Sequence, residues 1–93
     1  MLRITEEQAD GITCLRLEGR AIGPWVGELD RLCGLAHGAG RSLRLEMAGV
    51  SFLDPEAVRL VKVLMSDGVP VLGCSAFVRA QLEGESDDAS SFR

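Results

Sequence analysis

Residues 43–57 read LRLEMAGVSFLDPEA, and this segment predicts a strand that runs directly into a helix. Apolar and polar side chains alternate from Leu43 to Met47, which is the period of a strand with one buried face. Asp54 has the side chain of a helix N-cap, and Pro55 suits the first helical position because proline lacks an N–H that would be unpaired there. The segment therefore predicts a strand, a short loop and a helix start.

The sequence on either side of this segment predicts further strands and helices. Two short strands around the turn signal Asp10-Gly11 form an antiparallel hairpin, and the two strand–helix–strand units give parallel neighbours because such crossovers are right-handed. We expect an α/β fold of order β-β-α-β-α-β-α, with a four-stranded mixed sheet and helices packed mainly on one face. The predicted strands are residues 2–5, 12–18, 43–47 and 69–72, and the predicted helices are residues 24–37, 54–66 and 76–83.

The apolar positions of the first and last helices predict which side of each is buried. Trp25 could be an exposed recognition residue, but it lies at helical spacing with Val26 and Leu29, so we expect it to anchor the core with its edge at the surface. Ser75 can cap the last helix, whose buried side is predicted to hold the residues Phe77, Val78 and Leu82.

The length of 93 residues is enough for one domain, which we place at residues 1–83. Residues 84–93 are polar and acidic, and we expect them to form a disordered tail because they lack apolar side chains to offset ordering. The net charge of −4 and the absence of a basic cluster argue against nucleic acid and against acidic membrane surfaces as partners.

Three cysteines, Cys14, Cys33 and Cys74, are far apart in the sequence and odd in number. This pattern argues against a disulfide framework and favours a reducing compartment. No stretch resembles a signal peptide or a membrane span. We therefore expect a cytoplasmic protein, of bacterial origin, with no direct membrane insertion.

The chain shows no convincing catalytic, metal or cofactor site. Cys33 and His37 have the spacing of two metal ligands on a helix, but a zinc site needs three or four ligands and Cys33 already fits the core stripe. Residues 38–42, GAGRS, faintly resemble a phosphate loop, yet they end a helix instead of opening one, so a helix C-cap is the favoured interpretation. We predict that the protein is not an enzyme and binds no cofactor.

Three segments carry a resemblance to a known family: residues 17–20, residues 43–54 and residues 69–79. The chain resembles the STAS domain family, the sulfate-transporter and anti-sigma-factor-antagonist domains, over residues 2–83. The resemblance implies a four-stranded mixed sheet with helices packed against it. In regulatory members the loop after the middle strand has Asp, two Ser or Thr residues and then Gly. A partner kinase that is also an anti-sigma factor phosphorylates the second hydroxyl residue.

This chain departs from the family pattern in that loop. Asp54 matches the family aspartate, whereas Pro55 and Glu56 occupy the two hydroxyl positions and Ala57 replaces the glycine. Ser51 lies upstream and is not the family acceptor. The resemblance therefore implies a loop without a phosphoacceptor, in which Glu56 places a fixed negative charge that mimics phosphate only in part.

From these observations we predict a non-catalytic protein-interaction module of bacterial signalling and transcription regulation, similar to an anti-sigma-factor antagonist. Its partner-binding residues would be Leu53, Asp54, Pro55, Glu56 and Ala57, and its partner an anti-sigma factor or kinase. One alternative is a STAS-like accessory subunit that binds the ATPase of a lipid-export complex. Another is a small-molecule or nucleotide-binding domain at the C-terminal edge of the strands, although residues 49–57 contain no basic side chain to pair with a phosphate.

Overall fold

The computed structural model describes the backbone of residues 2–90 and the side chains of residues 2–83. The sheet has the order β1-β2-β3-β4, in which β1 is antiparallel to β2 and the other neighbours are parallel. The predicted element order and the predicted four-stranded mixed sheet are confirmed. The strands are β1 (Leu2–Ala9), β2 (Ile12–Ala21), β3 (Ser42–Leu53) and β4 (Val71–Leu72), and the helices are α1 (Pro24–Gly38), α2 (Pro55–Ser66) and α3 (Ala76–Ser90).

The helices pack on one face of the sheet, which we call the inner face. Alternate residues of β2 and β3 point into this face and are fully buried, and they share one core with apolar side chains of all three helices. The opposite, outer face carries exposed or half-buried charged residues, among them Arg16 and Glu46. The period-2 pattern of the sequence therefore corresponds to one dry face and one wet face.

Three strands and the last helix extend at least three residues beyond their predicted bounds, among them β2, which continues to Ala21, whereas β4 begins two residues later than predicted, at Val71. β1 continues through Glu6–Ala9, whose side chains are exposed, because its backbone pairs with β2 as far as the turn. β3 continues from Met47 to Leu53 through two irregularities in its pairing with β2. The backbone of α3 runs beyond Glu83 to Ser90. The predicted disorder of the tail stays a prediction, since the side chains of residues 84–90 and all of residues 91–93 lie outside the described residues.

Two aromatic residues lie elsewhere than predicted. Trp25 is no core anchor: more than its edge reaches the surface, since it is 38% exposed at the start of α1 while Val26 and Leu29 fill the core beneath it. Phe77 is 57% exposed, although Val78 and Leu82 are buried as predicted. Both aromatic residues sit in the first turn of a helix, where the apolar stripe reaches the rim of the core.

No helix within residues 2–90 is both long and apolar enough to cross a lipid bilayer.

Candidate functional site

The C-terminal half of β3 is displaced relative to β2, and this displacement positions the loop that follows. Arg16 pairs with Glu46, but Arg20 pairs with Phe52, so β3 contains two more residues than β2 over the same span. Extra residues of this kind bend a strand and increase its twist. At Gly49 a Cβ atom would lie 2.9 Å from Cγ of Glu18, so the close approach of the strands at this bend requires glycine.

Asp54 joins two loops through its two carboxylate oxygens. Oδ1 accepts a hydrogen bond of 2.8 Å from the N–H of Ala57, which caps α2 as predicted. Oδ2 accepts a hydrogen bond of 2.9 Å from the N–H of Gly23, the residue that precedes α1. The backbone N–H of Asp54 also donates to the carbonyl of Ala21, at 3.0 Å. One side chain therefore fixes the starts of α1 and α2 relative to each other.

The surroundings of Asp54 keep its carboxylate ionised. Burial raises the pKa of this carboxyl, but the hydrogen bonds from the N–H groups of Ala57 and Gly23 lower it, and the N–H of Glu56 and the charge of Arg59 act in the same direction. The net result is that the pKa of Asp54 is lowered below its ordinary value. The two-loop contact is therefore fully formed at neutral pH.

The five predicted site residues do not all face solvent. Leu53 and Ala57 are buried in the core, and Asp54 is half-buried with its oxygens turned to backbone groups. Pro55 and Glu56 are exposed, and Glu56 accepts a hydrogen bond of 2.8 Å from Arg59 one turn further along α2. Among these five residues, only Pro55 and Glu56 offer a whole side chain to a partner.

Gln81 of α3 supports the same loop, a role that the sequence did not predict. Its Nε2 donates to the carbonyl of Leu53 at 2.8 Å, and its Oε1 accepts from the N–H of Leu53 at 3.0 Å. Because β4 pairs with residues 45 and 46 of β3, the edge of β3 near the loop has no neighbouring strand in the part of the chain that the structure describes. The amide of Gln81 takes the place of that strand. A single glutamine on an amphipathic helix gives no sequence signal for such a role.

A layered contact of three side chains lies beside the Gln81 clamp, the pair of hydrogen bonds between Gln81 and the backbone of Leu53. The rings of Phe52 and Phe77 stack with centroids 6.4 Å apart, and the guanidinium carbon of Arg20 lies 5.6 Å from the centroid of Phe52. The contact explains why Phe77 is half outside the core, since its ring packs against the end of β3 at the edge of the sheet. It gives the loop a second support from α3.

A groove between α1 and α2 begins at this loop. Its first part has a volume of about 450 Å³, and a second part of about 610 Å³ continues along the helices. Val63, which is 57% exposed, lies in both parts, and Gly27 leaves the backbone of α1 uncovered by a side chain. The first part is lined by Gly23, Val26, Gly27, Asp30, Glu56, Arg59, Leu60 and Val63. An exposed apolar floor with charged rims is typical of a surface that binds another molecule.

The first part of the groove offers little for a phosphate-bearing ligand. Arg59 is the basic residue nearest the loop in the first part, and it is already paired with Glu56. Residues 38–42 form a helix end, in which the N–H groups of Gly40 and Arg41 donate to the carbonyls of His37 and Ala36. Gly40 has a φ of 73°, the left-handed conformation common after a helix. The C-cap interpretation of this segment is confirmed.

Cys33 and His37 remain a pair without further ligands. The side chains of residues 2–83 include no group of three or more His, Cys, Asp or Glu residues that could hold a metal ion. Burial, aided by the charge of Asp30, raises the pKa of the Cys33 thiol to about 11. A protonated, buried thiol is a poor nucleophile, which agrees with its place in the core stripe.

Among known proteins, the chain shows similarity to solved structures. No family model matches the chain, and a search of curated proteins gives no match. The solved structure described as "Crystal Structure Analysis of Mglu" is 29% identical over 72% of this chain, with a TM-score of 0.53. A second, "Crystal Structure Analysis of Mglu in its native form", is 27% identical over 71% of this chain, with a TM-score of 0.50. The similarity covers only 18% and 21% of those chains.

Proposed function

We propose that this chain is a non-catalytic protein-interaction module, and that its partner docks where α1 and α2 begin. The docking surface consists of the exposed loop residues Pro55 and Glu56 together with Gly27, Leu60 and Val63 of the groove. The observation that carries the proposal is the position of Asp54, whose two oxygens hold both helix starts at the mouth of this groove. Both oxygens of this carboxylate are bonded to backbone N–H groups.

The chemistry of the surface supports docking better than catalysis. Val63 presents an exposed apolar side chain in the groove, and Asp30 and Arg59 provide charge of both signs at its rim. A small apolar centre with a polar rim is the common anatomy of a protein interface. The hydrogen bonds of Asp54 fix the surface before binding, so less conformational entropy is lost when a partner docks.

The class of partner follows from the resemblance to the STAS family. We infer an anti-sigma-type kinase domain of a bacterial cytoplasm, in a pathway that regulates transcription. Pro55 and Glu56 lack the hydroxyl group that such a kinase phosphorylates, so the interaction is fixed instead of switched. The similarity to a part of two longer chains also fits a module that occurs within larger proteins.

A calorimetric titration with the anti-sigma-type kinase domains encoded near the gene tests the proposal. Val63→Asp places a charge in the apolar floor of the groove and is expected to weaken binding about tenfold or more. Leu72→Asp is the matched control, because Leu72 is 43% exposed and pairs with Glu46 on the outer face. Equal losses for the two variants, or no loss for Val63→Asp, would place the interface elsewhere.

A further inference from the structure

β1 is a long strand at an open edge of the sheet. It spans eight residues, and within residues 2–90 it pairs with β2 alone, while the side chains from Glu6 to Ala9 are exposed. On the opposite side of the sheet, beyond the short strand β4, the amide of Gln81 in α3 bonds to the backbone of Leu53 at the end of β3. An uncovered edge strand presents a row of unpaired backbone groups that can pair with another chain.

The turn between β1 and β2 determines which backbone groups point outward. Asp10 and Gly11 have φ values of 51° and 78°, as in a two-residue type I′ turn, so Ala9 and Ile12 form a hydrogen-bonded pair. The carbonyl of Gly11 accepts a bond from Ser42 of β3, so the groups of Ile12 face β1. Because hydrogen-bonded pairs alternate along an antiparallel ladder, the odd-numbered residues of β1 bond to β2. The N–H and C=O groups of residues 2, 4, 6 and 8 face the open edge.

We propose that a second copy of this chain pairs with that edge, β1 against β1 in antiparallel orientation, with the two-fold axis at Thr5. In this register Arg3 lies opposite Glu7 of the second copy, and Glu7 lies opposite Arg3 of the second copy. The outward-facing residues 2, 4, 6 and 8 then exchange backbone hydrogen bonds with residues 8, 6, 4 and 2 of the second copy. The two sheets become one continuous eight-stranded sheet.

The charges on the outer face favour this register. Arg16 bonds to Glu46 at 3.0 Å and lies 3.7 Å from Glu7, so positive and negative charges already alternate across the strands. Arg3 lies opposite Glu18 on β2, yet it has no carboxylate within ion-pair distance among the residues whose side chains are described. Arg3 of the second copy would lie beyond Glu7 and add a positive charge to this alternating series. Opposite charges placed directly across a strand pair are favourable.

Neighbouring registers are less favourable. Moving the axis to Glu6 would set the two Glu6 carboxylates directly opposite each other, which is destabilising. Moving it to Ile4 would shorten the paired length and would place Arg3 opposite Thr5, without an ion pair. A slip by a single residue would bring the outer face of one strand against the inner face of the other. The register centred on Thr5 combines the longest overlap with two pairs of opposite charge.

Light scattering coupled to size-exclusion chromatography, on the full chain from micromolar to submillimolar concentration, tests the proposal. The expected mass rises toward twice the 10.0 kDa of the chain as concentration rises. Glu6→Pro removes an N–H that faces the open edge and no bond to β2, so this variant is expected to stay monomeric. Glu6→Ala keeps the N–H and should dimerise. A wild-type mass that stays at that of one chain would overturn the proposal, as would equal dimerisation of the two variants.

Charge reversal tests the same contact without a change of backbone. Arg3→Glu is expected to weaken the dimer about tenfold or more, since it replaces two attractive pairs by two repulsive ones. Glu7→Arg should do the same, and the double variant should restore the dimer. Failure of the double variant to exceed both single variants would contradict the pairing of Arg3 with Glu7.

A cysteine variant tests the register. In a Cys14→Ser background, Thr5→Cys places two thiols opposite each other in a non-hydrogen-bonded pair, where side chains come closest. Oxidation is expected to give a disulfide-linked dimer of this variant. Gln8→Cys in the same background is the control and should remain a single chain, because its opposite residue is Leu2 of the second copy. Equal cross-linking of both variants would overturn the register.

Discussion

Replacing Asp54 with alanine tests the part that this residue plays in fixing the surface. The substitution removes the N-cap bond to Ala57, a loss that typically costs about 1 kcal/mol. It also removes the bond from the N–H of Gly23 to a carboxylate, and charge-assisted bonds contribute about 1.5 kcal/mol or somewhat more. Together we expect the free energy of unfolding to fall by about 2–3 kcal/mol.

Urea denaturation followed by circular dichroism measures this loss. The midpoint should fall by about 1 M or more, with an unchanged slope, if the native and unfolded states keep their compactness. Asp54→Ser is the matched control, because its hydroxyl can cap α2 but is too short to reach Gly23 as well. It should recover about 1 kcal/mol of the loss. If serine and alanine destabilise equally, or if alanine costs less than about 0.5 kcal/mol, the two-loop role of Asp54 is wrong.

The supports of the loop after β3 can be tested in three further ways. The pKa of Asp54 is lowered in the folded state, so the ionised carboxylate stabilises the fold above its unfolded pKa of about 4. This stabilisation is lost as the pH falls through the pKa of the folded state. The difference in unfolding free energy between wild type and Asp54→Ala, measured by urea melts across this range, should therefore shrink on acidification. Gln81→Leu should cost about 2–3 kcal/mol because it leaves the N–H and carbonyl of Leu53 without partners, and an unchanged thermal midpoint would contradict the clamp. Phe77→Ala should lose the stack on Phe52 and destabilise by about 1 kcal/mol in the same melts, a value near zero arguing against that contact.

The sequence predicted the order of the elements because each begins or ends with a strong local signal. Asp54-Pro55 marks the start of α2, and Asp10-Gly11 marks the hairpin turn. The lengths of β1 and β3 escaped prediction because backbone pairing with β2, not the alternation of side chains, carries these strands further. Phe77 was misplaced for a similar reason, since its ring packs on another element at the edge of the core.

The candidate site was predictable only in its local part. The capping role of Asp54 follows from residue type and position, and the structure confirms it. The bond from Gly23 to the same carboxylate joins residues 31 positions apart, and the Gln81 clamp joins residues 28 positions apart. Neither partner has a distinctive pattern around it, so only the folded chain brings them together. The same holds for the groove, whose two walls are separate helices.

The most direct test of the proposed function is the affinity of the chain for an anti-sigma-type kinase domain, measured by calorimetry with and without ATP and Mg²⁺. A fixed docking surface predicts the same dissociation constant in both conditions, and the chain recovered afterwards should keep its mass of 10.0 kDa. A mass increase from a phosphate group on residues 51–57, together with a change in affinity, would contradict a surface that phosphorylation does not switch.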